Sequence, residues 1–154
     1  MKIVILHNIR SVENVGAMFR TADAAGVNKI YLTGYTPAPL DRFGRTRQDL
    51  VKAALGAEKY VAWEQKKSIS ALISNLKEKG YYIVAVEQDK NSIDYRKLKA
   101  NSKQPKAFIL GSEVGGIPKN ILKMCDIIVE IPMHGRKESL NVSVALGIVL
   151  FAQQ

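Results

Sequence analysis

The segment Ala107-Phe-Ile-Leu-Gly-Ser-Glu-Val-Gly-Gly-Ile-Pro118 carries the clearest information on fold in this 154-residue chain. A short apolar run, Phe108–Leu110, changes abruptly into a loop of glycines and small polar residues. The same change follows Ile127–Ile131, and that second loop ends at Ser139-Leu-Asn141. Buried strands of an open α/β sheet end in this way, and ligands bind in the crevice beyond their carboxyl ends. The two segments therefore predict strands that end at a binding site.

The rest of the chain alternates between strand and helix patterns. Short apolar runs predict further strands at Lys2–Leu6, Lys29–Leu32, Tyr60–Ala62 and Tyr82–Val86. Helical spacing and capping residues predict helices from Asn14 to a C-cap at Gly26, from Thr46 to Leu55, from Ser68 to Gly80, from Pro118 to Met124 and from Asn141 to about Ala152. This alternation predicts one α/β domain, residues 1–154, with a mostly parallel sheet flanked by helices.

The charge is the informative part of the composition. The chain has 23 Lys and Arg against 14 Asp and Glu, which gives a net charge of +9. That excess favours a polyanionic partner such as nucleic acid, although a basic surface can also serve solubility alone. A single cysteine, Cys125, excludes an intramolecular disulfide and a cysteine-based metal cluster. Without a signal peptide or an apolar run of membrane-spanning length, we expect a cytoplasmic protein with no membrane partner. We also expect no metal.

Three motifs are spread along the chain. The first is Asn14-Val-Gly-Ala-Met-Phe-Arg20-Thr-Ala, and the second is Gly111-Ser-Glu-Val-Gly-Gly116. The third combines Ile131-Pro-Met with Ser139-Leu-Asn-Val-Ser-Val-Ala145. These motifs, in this order, resemble those of the SpoU (TrmH-like) RNA 2′-O-ribose methyltransferases of the SPOUT superfamily. The resemblance covers essentially the whole chain, and three ordered motifs are far more specific than one glycine-rich loop.

The resemblance implies a fold feature that periodicity does not show, a deep trefoil knot at the C-terminal end. The knotted loops would be Val86–Asp89, Leu110–Gly116 and Ile131–Leu140. Such knots are rare exceptions to ordinary chain topology.

The resemblance also implies a reaction, the transfer of a methyl group from S-adenosylmethionine to a ribose 2′-hydroxyl of RNA, with S-adenosylhomocysteine as the product. In the family, backbone groups of the knotted loops hold the cofactor. The corresponding positions here are Val86, Gly111, Ile131, Ser139 and Leu140. A side chain at Gly111 is expected to block the purine of the cofactor.

Arg20 corresponds to the catalytic arginine of the family. Because the pKa of arginine lies above about 12, a role as general base fits poorly. We expect Arg20 to orient the acceptor hydroxyl and the adjacent phosphate instead. Asn14, Glu113 and Asn141 are expected to fix the loops and Arg20 through hydrogen bonds. Asn14 and Asn141 also fit a purely structural role as helix N-caps.

The segment from Gly34 to Gln48 is a basic loop. Its arginines, Arg42, Arg45 and Arg47, are interleaved with aromatic residues that include Phe43. Such a loop can clamp phosphates and stack on a base. It can equally be an ordinary surface loop with Phe43 packed on the core, and the sequence leaves both open. The segment from Asp94 to Lys106, expected to be irregular, is a second basic candidate for RNA contact.

The last helix, which starts at Asn141, is apolar on nearly all sides. Such a helix needs burial on every face. We therefore expect one side to pack on the sheet and the other on a second subunit, in a homodimer.

Two rival functions differ in class. A Rossmann-type enzyme is disfavoured because the chain has neither a G-x-G-x-x-G motif nor a phosphate-binding P-loop. A non-catalytic RNA-binding module of the same fold is disfavoured because Arg20, Glu113, Ser139 and Asn141 are intact. Since no substrate-recognition domain is visible before the first strand, the chain resembles a bare catalytic core. That resemblance favours tRNA over rRNA as the substrate.

Overall fold

The computed structural model describes residues 1–98 and 103–153. Within them, seven parallel strands form one sheet in the order β3-β2-β1-β6-β4-β7-β5. The strands are β1 (Lys2–His7), β2 (Lys29–Thr33), β3 (Ala62–Lys66), β4 (Tyr82–Val86), β5 (Ile93–Asp94), β6 (Lys106–Leu110) and β7 (Ile127–Glu130). The predicted α/β class and the parallel sheet are confirmed.

Helices cover both faces of the sheet. They are α1 (Val12–Ala24), α2 (Gln48–Ala54), α3 (Ile69–Glu78), α4 (Lys119–Leu122) and α5 (Val142–Phe151), with short 3-10 helices at Ala57–Lys59 and Tyr95–Lys97. Core residues of α1, α2 and α5 pack together on one face, and those of α3 and α4 pack on the other. No helix in the described residues is long and apolar enough to cross a lipid bilayer.

The two central strands, β1 and β6, are buried on both sides. Along β1, Val4 and Leu6 belong to the core beneath α1, whereas Ile3 and Ile5 belong to the core beneath α3. This period of two follows from the pleat of a strand, which sends successive side chains to opposite faces. Because both faces are covered, the strand is apolar throughout, as parallel strands usually are.

Close contact between α1 and α2 explains the glycine of the first motif. A Cβ atom on Gly16 would lie 2.5 Å from the Cβ of Ala53 and 2.7 Å from the carbonyl oxygen of Leu50. The two helices can approach this closely only because residue 16 has no side chain. This contact fixes the position of α1, which carries Asn14 and Arg20.

The starts of two elements, α1 and β3, differ from the prediction. Helix α1 begins at Val12 with Ser11 as its N-cap, since the Ser11 hydroxyl accepts a hydrogen bond from the Asn14 N–H at 3.1 Å. Asn14 is therefore not an N-cap. Strand β3 starts at Ala62 instead of Tyr60, because an edge strand of polar sequence shows no apolar alternation. Tyr60, the predicted first residue of this strand, is 79% exposed.

The segment from Asp94 to Lys106 was expected to be irregular, but it begins with the end of β5 and a turn of 3-10 helix. Further along the segment, Lys99 lies outside the described residues, and Lys106 is the first residue of β6.

Candidate active site

A cavity of about 540 Å³ lies at the carboxyl ends of β4, β6 and β7. Its walls are the loops that follow these three strands, together with the first turn of α5. All five positions expected to hold a cofactor line it, namely Val86, Gly111, Ile131, Ser139 and Leu140. Strand ends that are distant in sequence thus converge where an open α/β sheet binds its ligands.

The loop after β6 folds tightly onto itself. A Cβ atom on Gly111 would lie 2.5 Å from the carbonyl carbon of Gly116 and 2.6 Å from the nitrogen of Ile117. The reason expected for Gly111, space for a purine, is therefore wrong. Glycine is required here because the loop's own backbone occupies the place of a side chain.

Glu87, at the end of β4, holds the same loop from outside. Its Oε2 accepts a hydrogen bond from the Ile117 N–H at 2.8 Å, and a Cβ atom on Gly116 would lie 2.3 Å from that oxygen. Gly116 also has a φ of +66°, which a residue with a side chain rarely adopts. The next residue, Gln88, donates its side-chain N–H to the Glu138 carbonyl at 2.7 Å. The loop after β4 therefore holds both of its neighbours.

Glu87 and Gln88 were expected only as part of the loop Val86–Asp89 at the edge of the cofactor pocket, with no side-chain role of their own. Their partners are 30 and 50 residues away along the chain. Only the strand order, with β4 between β6 and β7, brings these groups together.

Glu113 anchors the loop after β6 to the start of α1. Its carboxylate accepts hydrogen bonds from the backbone N–H groups of Arg10 at 3.0 Å and Ser11 at 3.1 Å. The Asn14 amide donates to the same carboxylate at 3.1 Å. Partial desolvation alone would raise the pKa of Glu113, but the hydrogen bonds from Arg10, Asn14 and Ser11 outweigh it and hold the pKa below its ordinary value. The carboxylate is therefore ionised at neutral pH.

Asn14 connects this anchor to the third motif. Its side-chain oxygen accepts a hydrogen bond from the Asn141 amide at 3.1 Å. The oxygen of Asn141 in turn accepts from the Ser143 N–H at 2.8 Å, so Asn141 also caps α5. Both roles considered for Asn141 are thus present together. The three motifs meet in one hydrogen-bonded junction, defined here as Asn14, Glu113 and Asn141, and two of its members line the cavity.

Arg20 lies outside this junction. It is exposed on α1, about 9 Å further along the helix axis than Asn14 and does not line the cavity. Among the residues that the structure describes, no hydrogen bond or ion pair holds its guanidinium group. The expectation that the junction residues bind Arg20 is wrong within a single chain. The neighbouring Thr21 faces Gly147 of α5, since its methyl carbon would lie 3.6 Å from a Cβ there, so this turn of α1 packs on α5.

The basic loop presents Phe43 to solvent. The ring is 67% exposed, so Phe43 does not pack on the core, whereas RNA binding by the loop stays a prediction. Arg42 and Arg45 lie over it, with their guanidinium carbons 4.7 Å and 5.0 Å from the ring centroid. Two of the loop's three arginines also have carboxylate partners, Arg45 with Asp41 at 2.8 Å and Arg47 with Asp49 at 3.8 Å.

Comparison with known proteins finds relatives that match almost the whole chain. The family model described as SpoU rRNA Methylase family matches residues 1–151. A protein of Staphylococcus haemolyticus named for the TrmH family of tRNA/rRNA methyltransferases is 34% identical over 149 residues, which is 97% of this chain and 56% of that protein.

Solved structures agree on the fold. The crystal structure of an AdoMet-bound rRNA methyltransferase from Sinorhizobium meliloti has a TM-score of 0.88 at 30% identity, covering 99% of this chain and 55% of that one. A TrmH/SpoU tRNA modifying enzyme of A. aeolicus has a TM-score of 0.84 at 29% identity, covering 99% and 73%. This chain spans about half the length of the curated relatives it matches. The three motifs meet at the carboxyl ends of the strands, and the family model matches residues 1–151. The chain therefore belongs to the SpoU methylase family.

Proposed function

We propose that this chain is a catalytic domain that transfers a methyl group from S-adenosylmethionine to a ribose 2′-hydroxyl of RNA, with tRNA as the substrate. The observation that carries the proposal is the junction of Asn14, Glu113 and Asn141 at the rim of the cavity. It joins groups that are 99 and 127 residues apart in sequence, one from each family motif. Such an arrangement fixes the mutual positions of α1 and two cavity loops.

The cavity suits S-adenosylmethionine by size and by lining. A volume of about 540 Å³ is typical of sites for ligands of this size. Val86, Gly111, Ile131, Ser139 and Leu140 would hold the cofactor, largely through backbone groups. When bound, S-adenosylmethionine supplies a methyl group activated by its sulfonium charge. The relative from Sinorhizobium meliloti was crystallised with this cofactor, which supports the assignment.

The chain's own residues then bind the RNA and align its acceptor hydroxyl with the cofactor. The junction keeps the cavity loops in place, so that cofactor and acceptor can be held in a fixed orientation. Arg20, whose charge persists at every physiological pH, orients the acceptor hydroxyl and its phosphate. Arg42, Arg45 and Arg47 contribute to binding the RNA backbone. The choice of tRNA follows the tRNA modifying enzyme of A. aeolicus, whereas other relatives are named for rRNA.

A homodimer completes this proposal. Helix α5 buries Leu146, Val149 and Leu150 but leaves Val144 49% and Phe151 48% exposed. These two exposed residues are seven positions apart, so they lie on one side of the helix. A second copy of the chain would cover this stripe. Because Arg20 is exposed and does not line the cavity of its own chain, the interface would bring it to the active site of the second copy.

Sedimentation tests the dimer directly. We expect a dimer at micromolar concentration that dissociates in a Val144→Glu, Phe151→Glu double variant. The matched control is Leu55→Glu, which alters a 67% exposed apolar residue at the end of α2. A stable wild-type monomer would contradict the dimer.

We also propose that the chain carries the trefoil knot of the SPOUT fold. In support, the loop after β7 is tied to Gln88 in the loop after β4, and α5 then packs on α1. The test is to join the termini covalently in the folded state and then unfold the chain in guanidinium. A knotted ring has a smaller hydrodynamic radius than an unknotted ring of equal length, and equal radii would refute the knot.

The activity is tested with purified protein, radiolabelled S-adenosylmethionine and separate tRNA and rRNA pools. We expect micromolar cofactor binding by calorimetry, labelling of tRNA, and a labelled nucleotide that resists alkaline cleavage because its 2′-hydroxyl is blocked. Labelling of rRNA alone would show that the substrate is rRNA and not tRNA. RNA binding without cofactor binding would identify a non-catalytic module.

A further inference from the structure

The tip of the basic loop is a small, ordered hairpin. Leu40 and Thr46 form an antiparallel bridge, and Phe43 lies at the turn between them. The Asp41 carboxylate accepts hydrogen bonds from the Phe43 N–H at 2.8 Å and the Arg45 N–H at 2.9 Å. Since these bonds fix the backbone on both sides of the ring, Phe43 is held in solvent at little further entropic cost on binding.

The two arginines beside the ring are held differently. Arg45 donates from its Nε to Asp41 at 2.8 Å, so its guanidinium is anchored. Arg42 lies over the Phe43 ring, and within the part of the chain that the structure describes its guanidinium has no hydrogen bond and pairs with no carboxylate. Arg42 is therefore free to leave the ring for a phosphate, and its departure would uncover one aromatic face.

The hairpin is joined to the rim of the cavity. At its base, the Arg47 N–H donates to the Pro39 carbonyl at 2.9 Å. Nearer the sheet, the Tyr35 hydroxyl donates to the Ser112 hydroxyl at 3.4 Å, and Ser112 lines the cavity. An RNA held at the hairpin would therefore lie on the side of the sheet where the candidate active site opens.

We propose that Phe43 stacks on an unpaired nucleobase while Arg42 contacts an adjoining phosphate, so that the substrate class is single-stranded or loop RNA and not continuous duplex. This inference rests on the proposed function. In an A-form duplex both faces of every base are covered by neighbouring pairs, and the deep, narrow major groove excludes side chains. An exposed ring flanked by cations instead suits a splayed base and its backbone.

Tyr60 provides a matched control. It is an aromatic residue with 79% exposure, and it precedes β3 at the amino end of the sheet, opposite to the cavity. If exposed aromatic surface alone promoted RNA binding, Tyr60→Ala and Phe43→Ala would have equal effects.

The experiment measures fluorescence anisotropy with a labelled single-stranded RNA and with a blunt duplex of the same sequence. For Phe43→Ala we expect the affinity for the single strand to fall about 10- to 100-fold, as base–aromatic stacking predicts, while duplex affinity stays unchanged. Phe43→Tyr should retain the affinity because it keeps the ring, and Tyr60→Ala should have no effect. Arg42→Gln should weaken both RNAs, because phosphate contacts do not depend on strandedness.

Equal losses on both RNAs, no loss with Phe43→Ala, or an equal loss with Phe43→Tyr would overturn the inference. Calorimetry with S-adenosylmethionine and methylation assays on the wild-type protein are run in parallel. Because the anisotropy assay requires no cofactor, failure of methylation would refute the proposed function without affecting the outcome for Phe43.

Discussion

At the scale of single residues, Arg20 is predicted to align the acceptor hydroxyl, whereas the junction supports the loops that bind the cofactor. Arg20 does not line the cavity and has no hydrogen bond to the junction within the described residues, whereas Glu113 and Asn141 do line the cavity. We expect Arg20→Ala to abolish methyl transfer while leaving S-adenosylmethionine affinity nearly unchanged. Arg20→Lys should also fail largely, since an ammonium group cannot reproduce a planar fork that grips two oxygens.

Turnover and cofactor competition by S-adenosylhomocysteine measure the two effects separately. Loss of cofactor affinity in Arg20→Ala, or near-normal turnover, would show that Arg20 does not act on the acceptor.

Two glycines of one loop give a second residue-scale prediction. In Gly111→Ala the new methyl group would overlap the Gly116 carbonyl, at 2.5 Å from its carbon, so the loop must open. In Gly115→Ala it meets nothing within 4 Å. We expect S-adenosylmethionine affinity to fall at least tenfold in the first variant and to stay within about twofold of wild type in the second. Equal affinities in calorimetry would contradict the need for a closed loop.

At the scale of elements, the basic loop is predicted to set the salt dependence of RNA binding. Each phosphate contact that is lost lowers the slope of log K against log salt by about 0.7 for single strands. Because Arg45 and Arg47 already have carboxylate partners, Arg42→Gln alone should account for most of the change in the triple variant of Arg42, Arg45 and Arg47. A slope unchanged in the triple variant would place the RNA elsewhere, first of all on the basic segment from Asp94 to Lys106.

The elements also show what the sequence can predict. Helix α3 was predicted almost to the residue, because Ser68 caps it and Ile69, Leu72, Ile73 and Leu76 form one buried stripe. Strand β3 was misplaced, because an edge strand buries too little to impose an apolar pattern. Helix α1 was predicted to start at Asn14, which is too late, because Asn is as good an N-cap type as the Ser11 that caps the helix, and only the backbone conformation distinguishes them.

The candidate site likewise contains features that the local sequence predicts and features that it does not. The cavity loops were predicted from glycines and strand ends, and the motifs identified Asn14, Glu113 and Asn141. Glu87 was missed because its role depends on a contact with Ile117, which no local pattern encodes. Side-chain partners across a sheet follow from strand order, and strand order depends on interactions over the whole chain.

At the scale of the whole molecule, the position of Arg20 relates catalysis to assembly. Arg20 is exposed and does not line the cavity of its own chain, and α5 carries an exposed apolar stripe; these two observations underlie the proposal of an active site shared by two subunits. Mixing two inactive variants tests this. Arg20→Ala keeps an intact cofactor loop, and Gly111→Ala keeps an intact Arg20, so each supplies what the other lacks.

If Arg20 acts across the interface, a mixed dimer contains one site with both parts and one with neither. After equal amounts are unfolded, mixed and refolded, about a quarter of wild-type activity per chain should return, because roughly half of the dimers of a two-fold assembly are mixed. The control refolds each variant alone and should remain inactive. If the mixture stays inactive although mass spectrometry detects mixed dimers, Arg20 and the cofactor loop must act within one subunit, and the exposed position of Arg20 would then require a movement of α1 toward the cavity.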